Sequence, residues 1–194
     1  MISIHPVEGL PEIREGDDLA ALVGERIELA DADVVVVAQK AVSKAEGRVI
    51  RIDSLEASPK AIELAGDERD PREVEAVLRE ATRIVRERVG NLAGAEVGVI
   101  VSDSFGRAWR QGTTDVAIGL AGIRALLDLT GERDAAGYEL HATVIAVADE
   151  LAAAAQLAMG KTSGIPAAVI RGYDASGEGS ARDLVMPAER DLFR

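Results

Sequence analysis

The run Asp33-Val34-Val35-Val36-Val37-Ala38-Gln39 limits the fold more than any other stretch of the chain. Four consecutive β-branched residues lose rotamer freedom in a helix and fit a pleated strand. A strand sends successive side chains to opposite faces, so an unbroken valine run has no polar face and must be covered on both sides. Similar short apolar runs, VGVIVS at 97–102 and IPAAVIRG at 165–172, are expected as further strands.

Between them lie helical patterns. Asp17 or Asp18 caps a short helix in DDLAALVGER, and Ser58 with Pro59 starts another in SPKAIELAG. Asp70 and Pro71 open the clearest one, whose apolar stripe is Val74, Val77, Leu78, Ala81, Ile84 and Val85. TTDVAIGLAGI reads as a strand with glycine bends. LHATVIAVADELAAAAQLAMG reads as a strand over Ala142–Val147 running into a helix from Asp149, closed by Gly160. The tail is expected to be extended. Strands and helices mix without regular βαβ spacing, which predicts an α+β fold of mixed and antiparallel sheets with surrounding helices.

At 194 residues, 47% of them hydrophobic, the chain can bury a real core in one or two domains. With no cysteine, disulfides, thiolate metal sites and cysteine nucleophiles are excluded. MISIHPVEGL lacks the basic start and apolar core of a signal peptide, and no run approaches the roughly 18 apolar residues of a membrane span, so a soluble, cytoplasmic protein is expected. A net charge of -12 without a basic cluster argues against nucleic acid, and 3% aromatics offer no stacking platform. An acidic protein that binds a phosphate needs local help from a metal ion, arginines, lysines or backbone N–H groups.

Several clusters could give that help. Gly160-Lys161-Thr162 nearly completes a phosphate loop, but Ala155 replaces the first glycine and a helix precedes it where a strand should, so that motif is rejected. GKTSG remains either a helix C-cap and turn or an N–H-rich nest for phosphate. Gln39, Lys40, Ser43 and Lys44 follow the valine strand, either as solvated surface residues or as a polyphosphate grip. In VIVSDSFGRAWRQG, Asp103 and Ser104 offer hard oxygens suited to Mg²⁺ or Mn²⁺, and Arg107 and Arg110 can hold a carboxylate or phosphate. The alternative is a strand-end turn with arginines on Trp109 or paired with surface acids. Asp149 and Glu150 suit the first turn of a helix, where they complement its dipole. His5 and His141 have no spacing partner.

AQKAVSKAEGR, VIVSDSFGRAWRQG, VAIGLAGI, GERDAAGYEL, VADELAAAAQLAMGKTSGIPAAVIRG and the closing ERDLF together resemble the coenzyme F420-0:L-glutamate ligase family (CofE), from GLPEI to the end. The same fold resembles the N-terminal half of a two-domain mycobacterial enzyme whose flavin-binding half has no counterpart here. The resemblance implies a ligase that joins L-glutamate to F420-0 at the expense of GTP through an acyl phosphate, with Mg²⁺ or Mn²⁺ as cofactor, K⁺ as a further cation, and a homodimeric assembly. It implies GTP contacts at Leu10, Pro11, Glu12 and Ile13, at Gln39, Lys40 and Lys44, and along Met159, Gly160, Lys161, Thr162, Ser163, Gly164, Ile165 and Pro166. It implies metal ligation by Asp103 and Ser104, the latter in place of a threonine. Lys161 stands where some relatives carry an oxygen ligand to metal, a role a protonated lysine cannot fill. On chemistry, Asp103, Arg107 and Arg110 are the expected catalytic set.

The sequence departs from the family in the middle. A block carrying an A-N-A-G-[IV]-D-x-S-N motif, with a metal-binding Asp and a GTP-binding Asn, is missing between about Arg86 and Glu87 of an otherwise single ligase unit. Either the block is deleted, or the natural protein keeps it as a ligand-ordered segment that this sequence lacks. The rival functions are a non-catalytic binder of nucleotide or F420 precursor, and the same chemistry on another small carboxylate.

Overall fold

In a computed structural model of the chain, the residues described are 1–48, 54–59, 62, 70–72 and 95–190. The elements are β1 (Ser3–Pro6), α1 (Leu19–Gly24), β2 (Val34–Ala38), α2 (Gln39–Ala45), β3 (Gly98–Arg107), β4 (Arg110–Ala121), β5 (Leu127–Asp128), β6 (Val144–Ile145), α3 (Val147–Met159) and β7 (Ala167–Arg171). Five strands form one sheet in the order β1-β7-β2-β3-β4, and β5 and β6 make a two-stranded ribbon. Only β2 and β3 run parallel; the other pairs of the large sheet are antiparallel. The fold is α+β, as expected.

The valine strand sits between β7 and β3, and its alternation divides the core. Val34 and Val36 join Ile100, Ala168, Ile170 and the buried face of α3 on one side. Val35 and Val37 join Val99, Val169, Val23 of α1 and Ala41 of α2 on the other. All four valines are buried, so the absence of a polar face is matched by cover on both sides. Helix α3 lies close to the sheet because Ala148, Ala152 and Ala155 face it at a spacing of three to four residues, all with no exposure.

The far end of this sheet is held by an ion pair. Asp33, 1% exposed, accepts from Arg171 Nε at 2.9 Å and Nη2 at 2.7 Å and from Ala30 N at 2.9 Å. Arg171 also donates to Glu28 O at 3.0 Å. Burial alone would raise the Asp33 carboxyl, but the bonds from Arg171 and the Ala30 N–H, with the charges of Arg171 and His5, outweigh it and hold it below the usual carboxylate range.

Several expectations change. Asp18, of the two candidates, caps α1, accepting from Ala20 N and Ala21 N. The residues after the valine strand are a helix rather than a surface loop. The strand over Ala142–Val147 is only Val144–Ile145, and α3 starts at Val147, because Val147 and Ala148 are buried and belong to the helix face. The tail forms short 3-10 turns at Ala181–Leu184 and Ala188–Arg190, the first closed by a Ser180–Asp183 capping box. Ser58 O accepts from Ile62 N at 3.0 Å, and Asp70 accepts from Arg72 N at 2.9 Å, as caps would. The stripe from Val74 to Val85, the junction at Arg86 and Glu87, and the end of ERDLF lie outside the described residues.

Candidate active site

Strand pairing brings the candidate residues to one end of the large sheet. Ala38, the last residue of β2, pairs with Ser102 of β3 and donates its N–H to Pro166 O at 2.8 Å, just before β7 begins. Val7, just after β1, donates to Ala167 O at 2.9 Å. The segments Leu10–Ile13, Gln39–Lys44 and 159–166 therefore lie at the same end of the sheet, beside Ser102–Ser104 in β3. This is the end at which ligands gather in open α/β sheets, though here the strands are mixed.

The first two segments touch directly. Lys44 Nζ donates to the Glu12 carboxylate, and this hydrogen bond and the lysine's charge lower the Glu12 carboxyl from its usual range. Gly16 N donates to Ala45 O at 2.9 Å and ties the same loop to α2. Gln39 does not face outward: its Nε2 donates to Ser43 Oγ at 2.7 Å, one helical turn on. Lys40 is exposed, whereas Ile13 is buried in the core and anchors its loop.

The stretch from Ser102 to Arg107 is not a turn at a strand end. β3 continues through it to Arg107, turns at Ala108 and Trp109, and returns as β4. Consecutive strand residues point to opposite faces, so Asp103 and Ser104 cannot chelate one ion together. Asp103 is exposed, and its carboxylate accepts from the N–H of Ser104 at 2.8 Å. Arg107 and Arg110 pair across the tip of the hairpin and are exposed; among the described residues neither has an ion-pair partner. Trp109 carries the turn with a φ of 58°, and its side chain is largely exposed.

On the other face the structure assembles a cluster around Asp115, which the sequence reading missed. Asp115 lies opposite Ser104 in β4 and is buried. Its carboxylate accepts from Ser104 Oγ at 2.5 Å, Ser102 Oγ at 3.2 Å and Lys161 Nζ at 3.0 Å. Lys161 Nζ also donates to Ser104 Oγ. The Asp115 N–H donates to Gln156 Oε1 of α3 at 3.2 Å. The signal in the sequence was one acid in an otherwise small and apolar strand, TTDVAIGLAG. Two residues along, Asp149 accepts from Ala117 N at 2.9 Å, so it fastens α3 to β4 rather than capping its own helix.

The 159–166 turn is built as the sequence implied. Gly160 ends α3 with a φ of 62°, and its N–H donates to Gln156 O at 2.8 Å. Ser163 Oγ donates to Met159 O, which closes the turn on itself. Thr162 and Gly164 are exposed.

Among the described residues no three His, Cys, Asp or Glu side chains gather as a metal cage. Mg²⁺ and Mn²⁺ commonly take one or two carboxylates and complete their shell with water and substrate phosphate oxygens. Asp103 fits that mode for one ion. Among the described residues no helix is long and apolar enough to cross a membrane.

Comparison with known proteins shows what the chain is similar to. The model of a family described as F420-0:Gamma-glutamyl ligase matches residues 9–93 and 84–172, two segments that overlap around Arg86 and Glu87. A coenzyme F420:L-glutamate ligase of Archaeoglobus fulgidus is 37% identical over 240 residues, covering 100% of this chain and 96% of its own. One from Methanothermobacter thermautotrophicus is 34% identical over 249 residues, covering 100% and 99%. One from Halobacterium salinarum is 38% identical over 237 residues, covering 97% and 94%. Alignments of this length against 194 residues leave those proteins with positions that have no counterpart here.

Proposed function

This chain belongs to the F420-0:Gamma-glutamyl ligase family, and we propose that it adds L-glutamate to coenzyme F420-0, building a γ-linked tail, with GTP as the phosphoryl donor. A free carboxylate is a poor acyl donor because its oxygen leaves as oxide. In the proposed reaction that oxygen attacks the γ-phosphorus of GTP, GDP departs, and an acyl phosphate forms. The amine of glutamate then attacks the acyl carbon, the C–O bond to phosphate breaks, and the amine proton is lost to solvent. The protein's task is mainly positioning and charge neutralisation.

In this reading Lys40, Lys44 and the N–H groups of the 159–166 turn hold the triphosphate, with the Leu10–Ile13 loop beside them. Arg107 and Arg110 grip the anionic substrate. Asp103 holds a divalent cation, Mg²⁺ or Mn²⁺, which supplies charge neutralisation at the phosphates when bound. K⁺ belongs to the same proposal as a further cation, as do a homodimer and a cytoplasmic location. The observation that supports the reading best is that the Leu10–Ile13, Gln39–Lys44 and 159–166 segments lie at one end of the sheet, beside Ser102–Ser104, with Lys44 already engaged to Glu12.

One observation favours a second reading. No A-N-A-G-[IV]-D-x-S-N motif is present, and the family model breaks where the block is missed. A protein truly without that block is better read as a binder of nucleotide or F420 precursor that does not ligate. The deciding experiment is a ligation assay with GTP, Mg²⁺ or Mn²⁺, L-glutamate and F420-0, read by mass spectrometry of the deazaflavin. Product heavier by glutamyl units only with GTP and metal establishes the ligase; GTP binding without product establishes the binder. Ligation of a different carboxylate, with F420-0 untouched, redirects the substrate assignment. Intact mass reports the block, since 20.4 kDa is the mass without it.

A further inference from the structure

We infer that Lys161 is a resident cation of the active site: its ammonium holds the place between Ser104 and Asp115 that a divalent ion would otherwise take. The inference rests on the ligase reading for its functional meaning, but its geometry stands apart from it. Asp115 is buried, and a buried carboxylate must be neutralised or bonded. Both serine hydroxyls point their protons at it, which leaves the Ser104 oxygen free to accept. Lys161 Nζ donates to that oxygen and to Asp115 Oδ1, the two hard oxygens a divalent ion would use.

An ion bound about 2.1 Å from those same atoms would collide with the ammonium, so the two exclude each other. The ammonium is placed by its bonds to Ser104 and Asp115, and the lysine backbone sits in a closed turn. Gly160 reverses the chain after α3, and the Ser163 hydroxyl closes the loop back to Met159 O. Lys161 remains more than half exposed on its outer side, so it can also face an incoming phosphate. Among the described residues Asp103 remains the exposed carboxylate of β3 for a divalent ion, and Lys161 supplies a second positive charge from the chain itself.

The test counts Mn²⁺ bound to the whole chain, without nucleotide, by electron paramagnetic resonance at millimolar metal. Lys161→Met removes the charge and adds no oxygen ligand; it should bind one further equivalent of Mn²⁺ relative to the unmodified protein. Adding Asp115→Asn to that variant should abolish the extra site. An unchanged count in folded Lys161→Met, or an extra site that survives Asp115→Asn, overturns the inference. If Lys161→Met does not fold, as circular dichroism would reveal, Lys161→Ala, which likewise adds no oxygen ligand, is read by the same count. Because GTP is absent, a negative ligation assay bears on the ligase reading and leaves this count untouched.

Discussion

Replacing Asp33 with Ala should destabilise the fold by about 2–3 kcal/mol while leaving the active-site edge unaltered. The carboxylate accepts two charge-assisted bonds from Arg171 and one from the Ala30 N–H, all at 2.7–2.9 Å. Cutting one partner from a fully buried pair typically costs about 3–5 kcal/mol. Here Asp33 is 1% exposed, but the Arg171 side chain is 43% exposed and keeps its bond to Glu28 O, so its charge is largely rehydrated and the cost falls below that range. For a chain of this length the loss corresponds to a fall in Tm of about 4–12 °C. The sign of the pH dependence follows from the depressed Asp33 carboxyl. Its contribution is fully present above the ordinary carboxylate pKa of about 4 and is lost as pH falls through the lower native value. Urea denaturation of both proteins from pH 7 down to pH 3 should therefore give a stability gap that is constant near neutrality and narrows in acid. A gap below about 0.5 kcal/mol at pH 7, or one that does not narrow in acid, would refute the argument. Steady-state ligation by the folded variant should be unchanged, because Asp33 lies at the opposite end of β2 from Ala38.

The remaining predictions concern the site and the packing around it. Asp103→Asn should reduce metal-dependent ligation at least about a hundredfold with Tm shifted by under about 1 °C, since the side chain is exposed; near-normal turnover would remove Asp103 from the mechanism. Lys44→Gln should raise KM for GTP about tenfold with little change in kcat, read from initial rates, if Lys44 leaves Glu12 for a phosphate. Arg107→Gln and Arg110→Gln should each raise KM for the deazaflavin substrate about tenfold, while thermal melts stay superimposable, because both arginines are exposed. Gly98→Ala should destabilise by about 1–3 kcal/mol in urea, because the new Cβ would stand 2.1 Å from Ile123 Cγ2 in the buried core.

Much of this protein was legible because the deciding signals are local. Val34–Val37 has no polar face and could only be an interior strand. The spacing of Ala148, Leu151, Ala152, Ala155 and Met159 could only be a helix with one buried side, and Asp18 and Gly160 are caps whose chemistry acts within a few residues. Glu12, Lys40, Lys44, Asp103 and Lys161 could be picked out by residue type and motif. Their contacts could not, since Lys44 reaches Glu12 across 32 residues and Lys161 reaches Asp115 across 46.

The β3–β4 hairpin shows where sequence reasoning stops. Counting back evenly from the turn at Ala108 and Trp109 would set Ser104 against Thr113. The irregularity beyond Arg107, where Gly112 takes a φ of 82°, shifts the register so that Ser104 faces Asp115 instead. Composition, strand parity and helix phase were thus determined by the sequence itself, because they depend on bonds and side chains within a turn or two. The Asp115 cluster and the seating of Lys161 were decided only by the tertiary structure, because a register and a long-range ion pair are properties of two segments packed together and belong to neither alone.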